Sequence, residues 1–337
     1  MSVRRGGPVR IADVAALAGV STGTASKALN GLGQLRPETR ERVRSAAEQL
    51  GFRPNALARA LPSGRSYTVG LITTDSFGRF TIPIMMGAED GLSAGQISVF
   101  LCDGREDSIR EQHYLRTLLD RQVDGIIVTG RRRDARPPLA EGLPVPVVYA
   151  MTESSNPADC SVVPDDAHGG RIATTHLLDI GRTRIAHITG PERFLGARLR
   201  ASSAEEVLAQ AGLRLVGTGA RFGEWSEAWG RQATAIVMRS APDTDAIFCG
   251  SDQIARGATD ALRELGRRVP DDVALIGYDN WEIFAATSRP ALSTVDPNLS
   301  EVGRIAARHL LSAIDGAPVP GVHTVPGMLV IRASTGS

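Results

Sequence analysis

From Tyr67 onward, short continuous apolar runs alternate with amphipathic stretches of helical length. The apolar runs predict strands at Val69–Thr74, Ile97–Asp103, Gly125–Thr129, Val145–Ala150, Arg184–Thr189, Leu215–Gly219, Ala246–Gly250 and Val273–Tyr278. Helical periodicity occupies Ser108–Gln122, Ala167–Ile180, Ser226–Arg239 and Gln253–Leu265 between them. A strand without a polar face must be covered on both sides, and a helix after each strand supplies the cover. That arrangement is a parallel, doubly wound sheet. With a further strand expected at Met328–Ala333, the set exceeds what one core holds, so the pattern predicts two lobes. Pro297–Ala317 is expected to return to the first lobe, which gives three crossovers between the lobes.

The segment before Tyr67 follows other rules. Residues 1–65 carry eleven Lys/Arg against four Asp/Glu, a net charge of +7. The remainder has 27 basic and 33 acidic residues, a net charge of −6. A basic head on a mildly acidic body points to a polyanionic partner for the head alone. Within it, Ile11, Val14, Ala15 and Ala18 recur on one helical face. Gly19 permits a left-handed turn, Val20 is placed as a buried plug, and Ser21 suits the N-cap of a second helix, Thr22–Leu29. With Ala25 and Leu29 turned inward, Thr22, Gly23, Ser26 and Lys27 face outward. This is a helix-turn-helix, whose second helix presents its N-terminal residues to base edges in the major groove. The helix N-terminus and the Ser21 and Thr24 hydroxyls suit phosphates. Lys27 is the only lysine in the chain and is a candidate donor to guanine. A third helix is predicted at Pro37–Leu50. It would pack through Ala46, Ala47 and Leu50, with Arg40, Arg42 and Arg44 as candidate phosphate contacts.

The run Ile11-Ala12-Asp13-Val14-Ala15, Ala18-Gly19-Val20-Ser21, Thr24-Ala25-Ser26 and Leu29-Asn30 resembles the head of the lactose/galactose repressor (LacI/GalR) family. Phe52-Arg53-Pro54-Asn55-Ala56-Leu57-Ala58-Arg59-Ala60-Leu61 is similar to that family's hinge helix, and the resemblance extends over residues 10–333. It implies that Thr22, Gly23 and Lys27 read bases and that Asn30 and Thr39 contact the DNA backbone. Asn55 and Ala58 fall on the hinge, and Leu61 matches the leucine that wedges into the minor groove. Two turns of helix are too short to be stable alone, so the hinge is expected to order against DNA and a partner hinge. Lys27 stands where arginine is usual, and Arg36 where a capping serine is common. Pro62 directly follows the wedge position.

In doubly wound sheets, ligands bind beyond the carboxyl ends of the strands. Several predicted strands end in polar or glycine residues: Thr74-Asp75, Cys102-Asp103, Thr189-Gly190, Gly250-Ser251-Asp252 and Tyr278-Asp279-Asn280. Trp225, Trp229 and Trp281 lie in helix starts or loops after strands. Carboxylates beside aromatic platforms suit a polyhydroxylated ring, because acids accept from hydroxyls and C–H faces stack on indole. The body also resembles periplasmic sugar-binding proteins. The family resemblance places effector contacts at Arg200, Trp225, Ser251 and Asp279, with Asp252 beside them, and Asp75, Phe77 and Phe80 line the loop after the first strand. Met151 stands where one family member carries a binding carboxylate, and Leu299 replaces a pocket aromatic.

The expected architecture is an all-α helix-turn-helix head plus an α/β body of two doubly wound parallel-sheet lobes of the periplasmic sugar-binding type. The head spans residues 1–53, a hinge and linker 54–66, and the effector-binding and dimerisation domain 67–333. Lobe 1 is placed at 67–164 and 297–323, and lobe 2 at 165–296 and 324–333. The expected partners are double-stranded operator DNA, a mono- or oligosaccharide effector and a second copy of the chain. No membrane partner, cofactor or metal is expected, and no catalytic residue. The N-terminus has no apolar stretch of the secretory kind, so the reading is cytoplasmic. The chain stops at Ser337 without the heptad tail that joins some family members into tetramers. Cys102, Cys160 and Cys249 have neither disulfide nor zinc spacing, and the six histidines are scattered. The motifs G-x-G-x-x-G and G-x-x-x-x-G-K-[ST] are missing. An enzyme or a solute-binding transport protein of the same fold is the alternative class. Within the regulator class, activation and a corepressing ligand stay open.

Overall fold

The computed structural model describes residues 9–29, 33–52, 65–92 and 97–336. The chain divides into two units, one formed by the N-terminal 68 residues with residues 122–124, the other by the rest. The first unit holds three helices, α1 (Ile11–Ala18), α2 (Thr22–Leu29) and α3 (Pro37–Gln49). Gly19 ends α1 at φ +63°, and the Ser21 hydroxyl starts α2 by accepting the Thr24 N–H at 3.1 Å. Val14, Ala15, Ala18, Ala25, Ala28, Val43, Ala46 and Ala47 are buried together as a small core. Val20 is half-buried at its edge rather than enclosed. Arg42 donates from Nε to the Ala18 carbonyl at 2.9 Å, so it ties α3 to the end of α1.

The second unit contains two six-stranded sheets. In the first, β1 (Thr68–Thr73), β2 (Ser98–Asp103), β3 (Gly125–Thr129), β5 (Val147–Ala150), β7 (Cys160–Asp165) and β13 (Gly321–Pro326) lie in the order β13-β7-β5-β3-β1-β2. The pairs from β13 to β1 are parallel, with Val69 opposite Gly125 and Thr73 opposite Thr129. Helices α4 (Thr81–Gly91), α5 (Ser108–Asp120) and α11 (Leu299–Ile314) belong to this lobe. Two-residue strands β4 (Ala135–Arg136) and β6 (Glu153–Ser154) pair above it. In the second sheet, β8 (Ile185–Thr189), β9 (Arg221–Phe222), β10 (Ala246–Cys249), β11 (Ala274–Tyr278), β12 (Ser293–Asp296) and β14 (Met328–Val330) lie in the order β14-β12-β11-β10-β8-β9. Only β14 runs antiparallel, at the edge. Helices α6 (Asp166–Asp179), α7 (Leu195–Gln210), α8 (Glu227–Ser240), α9 (Asp252–Glu264) and the short α10 (Glu282–Ala285) complete this lobe. The two-sided burial predicted from apolar runs is visible residue by residue. Ile247 and Cys249 face Ala233, Val237, Ala255 and Ala258, while Ala246 and Phe248 face Ala173, Leu177, Ala204 and Leu208.

The chain crosses between lobes after β7, after β12 and between β13 and β14. The expected strand at Leu215–Gly219 is absent. Leu215 and Val216 are buried, but Gly217 and Gly219 take φ of +82° and +114° and turn the chain. Pairing with β8 begins only at Arg221. The strand expected at Met328–Ala333 ends at Val330. Strands β7, β12 and β13 lacked a recognisable apolar run, because Ser161 and Pro164, Ser293 and Thr294, and His323 and Pro326 interrupt them in turn.

Helices α4 and α11 approach backbone to backbone. A Cβ on Gly87 would lie 1.8 Å from the Ser300 carbonyl oxygen, and one on Gly303 would lie 2.0 Å from that of Ile84. Neither obstacle is a movable side chain, so the helices would have to part. Gly87→Ala is expected to cost about 2–3 kcal/mol of stability. Urea unfolding checks this, and an unchanged midpoint would show that the pair tolerates separation.

Candidate effector cleft and nucleic-acid interface

In the helical unit, Thr22, Gly23 and Lys27 are exposed along one side of α2, and Ser21 is exposed just before it. Thr24, Ser26 and Thr39 are half-buried, and the Thr24 hydroxyl hydrogen bonds to that of Ser21 at 2.9 Å. This surface presents small side chains, hydroxyls, a helix N-terminus and one flexible cation, which is the chemistry that phosphates and base edges require. Arg42, a candidate phosphate contact by sequence, is instead engaged with Ala18. Asn30, Asn55, Ala58 and Leu61 lie outside the described residues.

In the larger unit, a cavity of about 410 Å³ opens between the lobes, at the carboxyl ends of their strands. From the first lobe come Asp75, Phe77, Arg79, Phe80, Asp134 and Met151, and from the second Asp166, Phe194, Arg200, Trp225, Ser251 and Asp279, with Trp281 alongside. The fold positions each of these by local bonds. Asp75 is buried, and its Oδ2 accepts the N–H groups of Phe80 and Thr81 at 2.7 and 3.1 Å, fixing the start of α4. Ser251 caps α9 by accepting the Ile254 N–H at 3.3 Å. Trp225 lies against Gly190, where a Cβ would come within 2.1 Å of the indole. Asp279 and Asn280 take φ of +102° and +48°, and Met151 +64°, so the cleft concentrates backbone strain of about 1–3 kcal/mol each. Phe77 is 90 % exposed at the rim.

Two arginine–carboxylate pairs organise the polar chemistry. Arg200 is buried, donates to Asp166 at 2.7 and 2.8 Å and to the Gly250 carbonyl at 2.6 Å, and stacks its guanidinium 3.5 Å from the Tyr278 ring centroid. Burial opposes its charge, but Asp166, Tyr278 and Asp279 together more than offset this and hold the guanidinium protonated above its ordinary range. The Tyr278 hydroxyl also donates to Asp166, at 3.3 Å. The second pair crosses the cleft, from Arg79 of the first lobe to Asp279 of the second. Arg79 also donates to Gln253 at 3.3 Å and stacks on Trp281 at 4.3 Å and Phe80 at 4.8 Å. Burial, only partly countered by Arg79 and Arg200, holds Asp279 above the usual carboxylate range. Asp134 makes a further bridge, accepting the Leu195 N–H at 2.9 Å at the start of α7.

Several expectations need correction. Asp252, placed beside the ligand by sequence, is fully buried and outside the cavity wall. Its oxygens accept from the Thr294 hydroxyl and the Trp281 N–H, both at 2.7 Å, so it shapes the loop that carries Trp281. Trp229 is a packing residue, with its Nε1 donating to the Thr189 carbonyl at 3.0 Å and its ring over Gly223. Leu299 lies in a second crevice of about 280 Å³, which shares Arg79, Phe80, Asp279 and Trp281. Sequence reasoning missed Arg79, Asp134, Asp166 and Phe194. None ends a predicted strand, although Asp166 does follow one of the crossovers.

Two models of known families match the chain. "Bacterial regulatory proteins, lacI family" matches residues 10–55, and "Periplasmic binding protein-like domain" matches residues 174–335. The transcriptional regulator CelR of Thermobifida fusca is 34% identical over 320 residues, covering 93% of this chain and 94% of that protein. The transcriptional repressor PurR of Aliivibrio fischeri (strain MJ11) is 32% identical, covering 90% of this chain and 91% of its own. A CelR–cellobiose complex superposes with a TM-score of 0.67 at 32% identity, covering 97% and 99% of the two chains. A lac repressor dimer bound to operator and the anti-inducer ONPF gives a TM-score of 0.76 at 27% identity, covering 98% and 100%. A helix-turn-helix unit and a two-lobed clamp with a cleft of ligand size define a DNA-binding transcription regulator with a sensing domain. The chain belongs to the LacI family of such regulators. Among the described residues, no helix is long and apolar enough to cross a membrane.

Two outcomes follow from these pairs. Asp166→Ala strands a buried guanidinium and is expected to cost about 3–5 kcal/mol, read by chemical unfolding. An effect on the scale of a surface ion pair would mean that water reaches Arg200. Burial, and then the charge of Asp279, raises Asp252 to about 8. An acid with a raised folded pKa contributes stability at low pH, which is lost as pH climbs from about 4 through that value. Wild type should therefore lose stability relative to Asp252→Asn over that interval, and a pH-independent difference would contradict the assignment.

Proposed function

We infer that this regulator is a repressor whose small carbohydrate effector occupies the cleft between the lobes and releases the protein from operator DNA. The observation that carries the choice of ligand is the Asp134 carboxylate. Its Oδ2 is shut off from solvent in the cavity wall without a hydrogen-bond partner. A buried acceptor left unmade costs about 1–3 kcal/mol, and a small rotation of the carboxylate toward a ligand hydroxyl in the cavity relieves that cost. Asp75 offers a second carboxylate, and the rings of Trp225, Trp281 and Phe194 offer flat apolar faces for the C–H side of a sugar. A volume of about 410 Å³ sits within the range of small-molecule sites, about 300–1,000 Å³. The same geometry favours binding over turnover. Asp166 and Asp279 are each held by an arginine, which leaves neither poised as a general acid or base.

The DNA-reading role falls to Ser21, Thr22, Gly23, Thr24, Ser26 and Lys27 of the helix-turn-helix, with Thr39, Asn30 and the hinge positions Asn55, Ala58 and Leu61 as backbone and minor-groove contacts. The effector role falls to Asp75, Phe77, Phe80, Arg200, Trp225, Ser251 and Asp279, joined by Asp134, with Arg200 acting through its pair with Asp166. A second copy of the chain completes the DNA-binding unit. The edge strand β2 exposes Phe100 and Leu101, and α4 exposes Ile82 and Met86, an apolar surface suited to a twofold contact. Arg79–Asp279 and Asp134–Leu195 span the cleft, so a ligand that rearranges either bridge changes the lobe angle and gains allosteric leverage.

The full-length chain should select one near-palindromic sequence from a genomic library, and Lys27→Ala should change preference at one position of each half-site. An unchanged selection profile removes Lys27 from base reading. With about 6–10 phosphate contacts, affinity should fall about 10³–10⁵-fold between about 50 and about 200 mM salt. In a saccharide panel read by thermal shift, hits should release the DNA, and Asp134→Ala should weaken them about tenfold, equivalent to about 1.4 kcal/mol. A panel without hits, or hits indifferent to Asp134, would overturn the ligand assignment while leaving the DNA-binding role standing.

A further inference from the structure

Sequence spacing gave the cysteines and histidines no metal pattern, yet the fold gathers three of them in lobe 1. Cys160 opens β7, His309 lies on α11 and His323 lies on β13. Strand β13 pairs with β7 so that Gly321 is opposite Cys160 and His323 opposite Val162. One ligand-type atom from each of the three residues lies within 4.8 Å of the others. The two imidazole rings have centroids 4.6 Å apart and are tilted by 37°. His323 Nε2 is buried and has no hydrogen-bond partner. A donor or acceptor enclosed without a partner calls for an explanation, and an unmodified protein group does not provide one here.

We propose that Cys160, His309 and His323 form a binding site for a borderline divalent cation of the zinc class. One thiolate with two imidazoles is the donor set such an ion prefers over magnesium or calcium. Bonds of about 2.1 Å to nitrogen and about 2.3 Å to sulfur put tetrahedral ligand atoms about 3.4–3.6 Å apart, a contraction within reach of side-chain torsions. On binding, the Cys160 S–H bond breaks, the proton passes to solvent and the sulfur lone pair forms the bond to the metal. No electron is transferred. Three protein ligands leave a fourth position for water, since the neighbouring Asp159 carboxylate is engaged by Ser154 at 2.5 Å and Asn156 at 3.2 Å. The three ligands sit on β7, α11 and β13, the elements of lobe 1 that lead to or from the three crossovers. Cys160 lies at the end of β7 away from its crossover and His309 ten residues into α11, so a bound ion would tie these three elements together within lobe 1 rather than at the crossovers themselves.

Cobalt(II) titration of the full-length, metal-free chain tests the site directly. The expected result is one ion per chain, with thiolate-to-cobalt charge transfer and the intense visible bands of a tetrahedral site, displaced by zinc(II). Cys160→Ser should lose the charge-transfer band and Cys102→Ser should retain it. His309→Gln and His323→Gln should weaken binding at least tenfold while melting like wild type without metal, which separates loss of the site from loss of the fold. Failure of wild type to bind, a band that survives Cys160→Ser, or a band that vanishes only in Cys102→Ser would each overturn the proposal.

Discussion

The cleft depends on the buried pair between Arg200 and Asp166. An arginine cannot shed its proton, so a guanidinium inside a protein has to find a carboxylate and further acceptors or remain in water. Here Asp166, the Gly250 carbonyl and the Tyr278 ring surround it. These partners come from α6, the end of β10 and β11, so satisfying one charge fixes the mutual positions of three elements of lobe 2. Asp166 is also the first residue of α6, where the chain has just arrived from lobe 1. The electrostatic requirement of one side chain therefore sets the first hinge crossing and the floor of the cavity together.

Above that floor, the polar bridges are of a different kind. Arg79 and Asp134 belong to lobe 1, and their partners Asp279 and the Leu195 N–H belong to lobe 2. Such contacts hold only while the lobes keep one angle, whereas the contacts of Arg200 lie within one lobe and survive a change of angle. A rigid floor beneath movable walls is what a sensing clamp requires, because a ligand does work only through contacts that differ between two states. Strained backbone at Asp279, Asn280 and Met151 lies in or beside the same walls.

The rigidity on which this motion would act comes from backbone-to-backbone packing. In lobe 1, Gly87 and Gly303 let α4 and α11 touch. In lobe 2, Gly230 and Gly257 do the same for α8 and α9, with a Cβ at Gly257 falling 1.9 Å from the Glu227 carbonyl oxygen. Each lobe thus carries at least one helix pair packed too closely to slide past one another, and relative movement of the lobes is left to the three connecting segments.

The sequence by itself determined the helix-turn-helix, down to the Gly19 turn and the start of α2 at Thr22, because caps and short periodic faces are local signals. It also determined most strands and the two-lobed plan, since runs such as Ile126–Val128 or Ile247–Cys249 can only be buried on both sides. Ser251 and Asp279 lay at the ends of predicted strands and Trp225 in a loop after one, and the family resemblance marked all three as cleft residues. Asp252 has the same sequence signature as Ser251, yet tertiary structure turned it inward to Thr294 and Trp281. Arg79, Asp134, Asp166, and the grouping of Cys160 with His309 and His323, were decided only by the fold. Their partners lie tens to hundreds of residues away, and no local pattern records which distant charge, amide or ring a side chain will meet.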